Sequence, residues 1–204
     1  MGAAALVRWC GVVVAVGAAG WAVASLAAGP IEEGANSRLE LAGSFAFQVG
    51  VLGLVAAMWT TGGTGRGRWS RAVLAIQMVL VLLAMGWTVP HVFDPNMASE
   101  GIMAALDAAW PLSMLWLLVQ GATVARARRW PGVLRWLPLL GGLWFPVAII
   151  ALAAGEWPGL VVSNLWLVGT YVPLGLLLLA RGVTVDAAAE PTLGVNMGNA
   201  SIRS

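Results

Sequence analysis

The chain has 204 residues, of which 60% are hydrophobic and only 10% charged, with a mean hydropathy of +0.85. Soluble domains carry about a quarter charged residues, and several apolar runs here reach the roughly 20 residues needed to cross a bilayer, so a water-soluble globular domain is excluded. The eleven basic residues are all arginine and stand against nine acidic ones, for a net charge of +2.

Six apolar runs are predicted to span the membrane as helices. The first covers 5–28 and opens on Arg8-Trp9. It is long for the apolar core of a signal peptide, about 7–15 residues, so a retained helix is expected despite the cleavable-looking Ser25-Leu26-Ala27. Gly17, Gly20, Ala24 and Ala28 form a small-residue ridge along it. Such a ridge lets another backbone approach closely, either a helix of this chain or a membrane-protein partner or second copy. Cys10 is the only cysteine and can form no intrachain disulfide.

The second run, 41–61, carries Gln48, and the 62–71 loop brings Arg66, Arg68-Trp69 and Arg71. The third, 72–90, carries Gln77 and leads to His91 and Asp94. Asp94-Pro95 is predicted to supply the N-cap and first residue of the next helix. The fourth run, 103–124, follows Glu100 and holds Asp107, Trp110, Pro111, Ser113 and Gln120. The 125–135 loop is basic, with Arg126, Arg128, Arg129-Trp130 and Arg135-Trp136. The fifth run, 133–154, has a weak point at Gly141-Gly142 and a proline at Pro146. The sixth, 157–180, contains Asn164, Tyr171 and Pro173. Residues 182–204 lose hydrophobicity and gain Pro, Asn, Gly and Ser, as expected of a disordered tail.

Charge alternates between the connections. Arginine occupies the N-terminus, the 62–71 and 125–135 loops and the C-terminal tail, while Arg38 alone falls on the side of Glu32, Glu33, Glu40, Asp94, Glu100 and Glu156. The positive-inside rule then places both termini in the cytoplasm. The expected fold is an all-α, six-helix bundle integral to the cell membrane, with short loops. The pairs Arg8-Trp9, Arg68-Trp69, Arg129-Trp130 and Arg135-Trp136 each stand where a charged stretch turns apolar. They are expected to anchor that boundary, guanidinium among anionic headgroups and indole at the hydrocarbon edge. This pattern favours lipid over nucleic acid as their partner. Arg66-Gly67-Arg68-Trp69-Ser70 and Arg126-Ala127-Arg128-Arg129-Trp130-Pro131 form a weak internal repeat, explained by duplication or by convergent interface chemistry.

Few polar groups are placed to do chemistry. His91, Asp94, Glu100 and Asp107 cluster in sequence at the acidic end, where they form either an outer cation or proton site or a solvated rim. At 1.5 Å per helical residue, Gln48 and Asn164 fall at one depth in the outer part of the bilayer, and Gln77 and Gln120 at one depth nearer the inner face. With Trp110, Ser113 and Tyr171, Gln48 and Asn164 are candidates for the lining of a pocket. Interhelical hydrogen bonding is the alternative. No HExxH, GxSxG or cysteine pair occurs, one histidine cannot ligate a haem from both sides, and Gly62-Gly63-Thr64-Gly65-Arg66 lacks the lysine of a P-loop. No catalytic residue, metal or cofactor is therefore assigned.

The segment from Leu106-Asp107-Ala108-Ala109-Trp110-Pro111 to Leu115, and that from Phe47-Gln48 to Gly65-Arg66-Gly67-Arg68, resemble uncharacterised polytopic membrane proteins of actinobacteria. The resemblance implies no activity and carries over no functional residue. The leading expectation is a non-catalytic accessory or scaffold subunit of a membrane complex. The alternative is a small transporter or substrate-binding component with an acidic outer mouth. A lipid-acting intramembrane enzyme using His91, Glu100 and Asp107 stands third.

Overall fold

Lipid offers no partner for a backbone N–H or C=O, so an apolar chain satisfies those groups within its own helices. The computed structural model describes residues 2–30 and 37–187 and places them in seven α-helices and one 3₁₀ turn. The helices are α1 (Ala3–Ala28), α2 (Arg38–Thr61), α3 (Arg68–Phe93), α4 (Ile102–Ala127), α5 (Leu137–Gly142), α6 (Trp144–Leu152) and α7 (Glu156–Ala187), and the 3₁₀ turn is Gly132–Arg135. Five helices are long and apolar enough to cross a membrane, and the stretch Gly132–Leu152 makes a sixth if its two halves, bent by 45°, count as one span.

Three expectations are corrected. The fifth run is two helices joined at Leu143, not one. Asp94-Pro95 starts no helix: α3 runs through Pro90 to Phe93, Asp94 Oδ1 accepts the Asn96 amide in a local turn, and α4 begins only after Gly101. Finally, α7 continues to Ala187, into the stretch expected to be a disordered tail, and the rest of that tail, 188–204, lies outside the described residues, as does 31–36 with Glu32 and Glu33.

The helices close into a ring. Neighbours in sequence pack together from α1 to α5, α5 and α6 both pack on α7, and α7 returns to α1. Glycine sets the tightest crossings. A Cβ built on Gly11 would lie 2.5 Å from the carbonyl oxygen of Gly175, and one on Gly175 would lie 2.5 Å from that of Gly11, so α1 and α7 touch backbone to backbone. Gly17 meets the Ala46 carbonyl of α2 in the same way, and Gly43 of α2 meets Ala24 of α1. Of the ridge on the first span, Gly17 and Ala24 thus pack within the chain, while Gly20 faces open space. Gly141 and Gly142 are close-packing points beside the break: a Cβ on either would run into Tyr171 or the Leu117–Leu118 backbone of α4, and one on Gly121 of α4 would collide with Leu139.

Leucine, valine, methionine and aromatic side chains fill the centre of the ring, among them Phe47, Leu54, Met58, Val81, Leu117, Leu174 and Leu178. Buried amides join helices inside it. Gln48 Nε2 donates to Thr88 Oγ1 at 2.8 Å, tying α2 to α3, and Gln120 Nε2 lies 2.9 Å from Met58 Sδ, tying α4 to α2. Gln77 is fully buried, and neither end of its amide has a hydrogen-bond partner among the described residues.

Candidate functional site

The break at Leu143 turns α6 away from the axis of α5 and opens a cleft of about 470 Å³ at the acidic end of the bundle. Its walls come from Ser25, Gly29 and Pro30 after the end of α1, Glu40 in the first turn of α2, Trp144, Ala148, Ile149 and Leu152 on α6, and Glu156, Gly159, Leu160 and Ser163 on α7. Gly29, at φ 75°, ends α1 in a conformation that L side chains rarely adopt. Gly159 lets the far end of α6 rest on α7, since a Cβ there would lie 2.9 Å from Leu152 Cα.

The cleft has two chemical halves. One is apolar, formed by Ala148, Ile149, Leu152 and Leu160. The other is built around Glu40, whose Oε1 accepts the Trp21 indole N–H at 2.8 Å, leaving its second oxygen as a further acceptor. Glu156 stands exposed on the rim. The indole of Trp144 donates to the Ser163 carbonyl at 2.8 Å, which fixes the ring at the bend. Asn164, beside this wall, donates to the Leu160 carbonyl at 2.8 Å and lies 3.4 Å from Ser25 Oγ.

Five aromatic rings form one cluster that includes Trp144 of the cleft wall and Trp21, the partner of Glu40. Trp21 lies 5.1 Å from Phe47, 5.6 Å from Trp110 and 5.1 Å from Trp144, and Phe47 meets Tyr171 edge-on at 5.0 Å. These spacings fall within the favourable range for aromatic pairs. Trp21, Phe47 and Tyr171 are buried. Of the hydroxyls on the cleft walls, Ser163 Oγ donates to the Leu160 carbonyl and Ser25 Oγ lies 3.4 Å from the Asn164 amide nitrogen.

The residues proposed as a pocket lining do not line one cavity. Gln48 is engaged by Thr88, Ser113 Oγ donates to the Trp110 carbonyl at 2.8 Å, Trp110 and Tyr171 belong to the aromatic cluster, and Asn164 braces the wall from behind. The candidate cation or proton site is not assembled either. His91 is fully buried and stacked on Trp87 at 4.0 Å, with Nδ1 2.8 Å from the Trp87 carbonyl and Nε2 3.2 Å from both the Met97 carbonyl and Ser99 Oγ. Asp94, Glu100 and Asp107 are exposed, and none is bonded to it. Among the described residues no three His, Cys, Asp or Glu stand together in a way that could hold a metal ion.

Of the expected interface anchors, Trp9, Trp69 and Trp136 are exposed, as are Arg8, Arg68 and Arg129, and the Arg135 guanidinium covers the Trp136 ring at 4.6 Å. Trp130 departs from the pattern: it is 1% exposed, and its indole donates to Thr61 Oγ1 at 3.0 Å. It packs over Gly63, where a Cβ would lie 2.7 Å from the indole nitrogen. Trp130 is thus a buried latch between two loops rather than an anchor in lipid. No family model matches the chain, and no curated protein or solved structure is significantly similar to it.

Proposed function

We propose that the protein is a non-catalytic, multi-pass membrane component of accessory type that holds an amphiphile with a cationic headgroup in the Glu40 cleft. The observation that carries this reading is the pairing, in one cleft, of a carboxyl group held by an indole with a wall of Ala148, Ile149, Leu152 and Leu160. A hydrocarbon chain gains by lying on that wall. A positive headgroup gains from Glu40 and Glu156 and from the face of Trp144. In the orientation favoured by the arginine distribution, both termini are cytoplasmic and the cleft opens toward the outer leaflet. The packed aromatic cluster that joins Trp144 to Trp21, the partner of Glu40, favours binding or presentation of a ligand over passage through the bundle.

The test uses the purified protein in lipid nanodiscs and a brominated long-chain alkyltrimethylammonium as probe, with bromine quenching tryptophan fluorescence. An alkyl sulfate of the same chain length serves as control. The cation quenches a saturable part of the signal that disappears in Trp144→Phe, and Glu40→Gln weakens its binding by about tenfold, as expected for one lost charged contact. Equal quenching by the sulfate, or unchanged affinity in Glu40→Gln, overturns the proposal.

A further inference from the structure

At the opposite end of the bundle, the two halves of the weak internal repeat come together. Arg66 from the α2–α3 loop, Arg126 from the last turn of α4 and Arg129 from the following loop line one groove of about 430 Å³, with Thr64, Trp69 and Thr123. A second hollow of about 190 Å³ shares Gly65 and Arg66 with it and adds Arg71. The guanidiniums converge: a Cβ on Gly62 would lie 3.6 Å from both Arg66 Nε and Arg129 Nη1.

Like charges gathered in this way call for a counter-charge. Glu40, Asp94, Glu100, Asp107 and Glu156 all belong to the other end, and among the described residues no carboxyl group pairs with Arg126 or Arg129. Two further features point to an anion. Thr64, on the groove wall, is only 2% exposed, and its hydroxyl has no hydrogen-bond partner among the described residues. The first turn of α3 starts beside the groove after Gly67, with no side chain capping it. Its backbone N–H groups and the positive end of the helix dipole favour an oxyanion.

We infer that the groove formed by Thr64, Arg66, Arg126 and Arg129 is a binding site for a phosphate group, carried by an anionic phospholipid. Arginine matches phosphate geometry with paired N–H donors. Basic pockets between membrane helices are where anionic headgroups settle. Trp69, on the groove and 64% exposed, and Trp59, on the neighbouring hollow and 50% exposed, carry apolar surface outward from these arginines, as suits a ligand whose tails lie in the bilayer. This site is separate from the Glu40 cleft and does not depend on that reading.

Native mass spectrometry of the full chain in mild detergent tests it, with phosphatidylglycerol as lipid probe, oleate as an anion lacking phosphate, and inorganic phosphate as competitor. One phosphatidylglycerol is retained by the wild-type protein and by the control Arg38→Gln, at the opposite end of the bundle. Arg126→Gln/Arg129→Gln retains it at least about tenfold more weakly, and Thr64→Val, which keeps every arginine, weakens it measurably. If inorganic phosphate alone binds and excludes the lipid, the phosphate site stands, but its ligand is the free ion. Equal retention by wild type and the double arginine variant overturns the site, as does oleate binding as tightly as phosphatidylglycerol.

Discussion

Replacing Gly11 by alanine probes the tightest crossing of the bundle. The added methyl would lie 2.5 Å from the Gly175 carbonyl oxygen and 2.7 Å from the Leu179 amide nitrogen, both backbone atoms that cannot rotate away. Carbon atoms settle near 3.5–4.0 Å from their neighbours, so α1 and α7 must part by about 1 Å, and a gap of that size forfeits a quarter to a half of each contact it opens. Overpacking of this kind costs about 1–3 kcal/mol. The neighbouring Cys10 reports the loss directly, because it is the only cysteine and is buried. Thiol labelling in nanodiscs then requires the crossing to open, and the same 1–3 kcal/mol makes labelling of Gly11→Ala about 5- to 150-fold faster than wild type. Gly20→Ala, on the same helix but facing open space, leaves the rate unchanged. Equal rates for the two variants, or slow labelling in Gly11→Ala, would refute the reasoning.

Two other predictions concern single buried groups. Gln77→Leu replaces an amide whose two polar atoms have no partner, a burden of about 1–3 kcal/mol, so thermal unfolding in detergent shifts upward; a lowered midpoint would mean that the amide is satisfied and needed. Trp130→Phe removes the hydrogen bond to Thr61 and part of the cover over Gly63, so trypsin cuts faster after the exposed Arg128 and Arg129; an unchanged digestion rate contradicts the latch.

Hydropathy was sufficient to find the spans because burial in lipid is decided residue by residue. The runs 41–61 and 72–90 match α2 and α3 apart from their ends. The helices extend into charged flanks such as Arg38 and Arg68 because backbone pairing does not stop where hydrophobicity does. The short loops imply that sequential helices are neighbours, as α1 to α5 are, but the closure of α7 on α1 was not legible, since it depends on glycines meeting across the bundle: Gly11 and Gly175 are distant in sequence and unremarkable singly. The four Arg-Trp pairs read alike, yet the turn after Arg128, at φ 53°, and Gly132, at φ 57°, folds Trp130 under its loop. The cleft escaped notice for a similar reason. Glu40 looked like one more acidic rim residue, and only the bend at Leu143 sets it across from Trp144 and Ile149. An indole such as Trp21 within an apolar run needs an acceptor, and that need is the signal by which Glu40 could have been singled out.

The two halves of the fifth span are held very unequally. On α5, Gly141, Gly142 and Leu139 are pressed against α7 and α4, while α6 has no fully buried residue, and Ile149, Ile150 and Leu152 are 56–73% exposed. Local opening requires least free energy where few apolar contacts are lost. The break at Leu143 therefore separates a half clamped between α4 and α7 from a half that rests on α7 at Gly159 and Trp144 and forms one wall of the cleft. The width of the cleft follows the position of α6, and α5 keeps its place between α4 and α7 when that wall shifts.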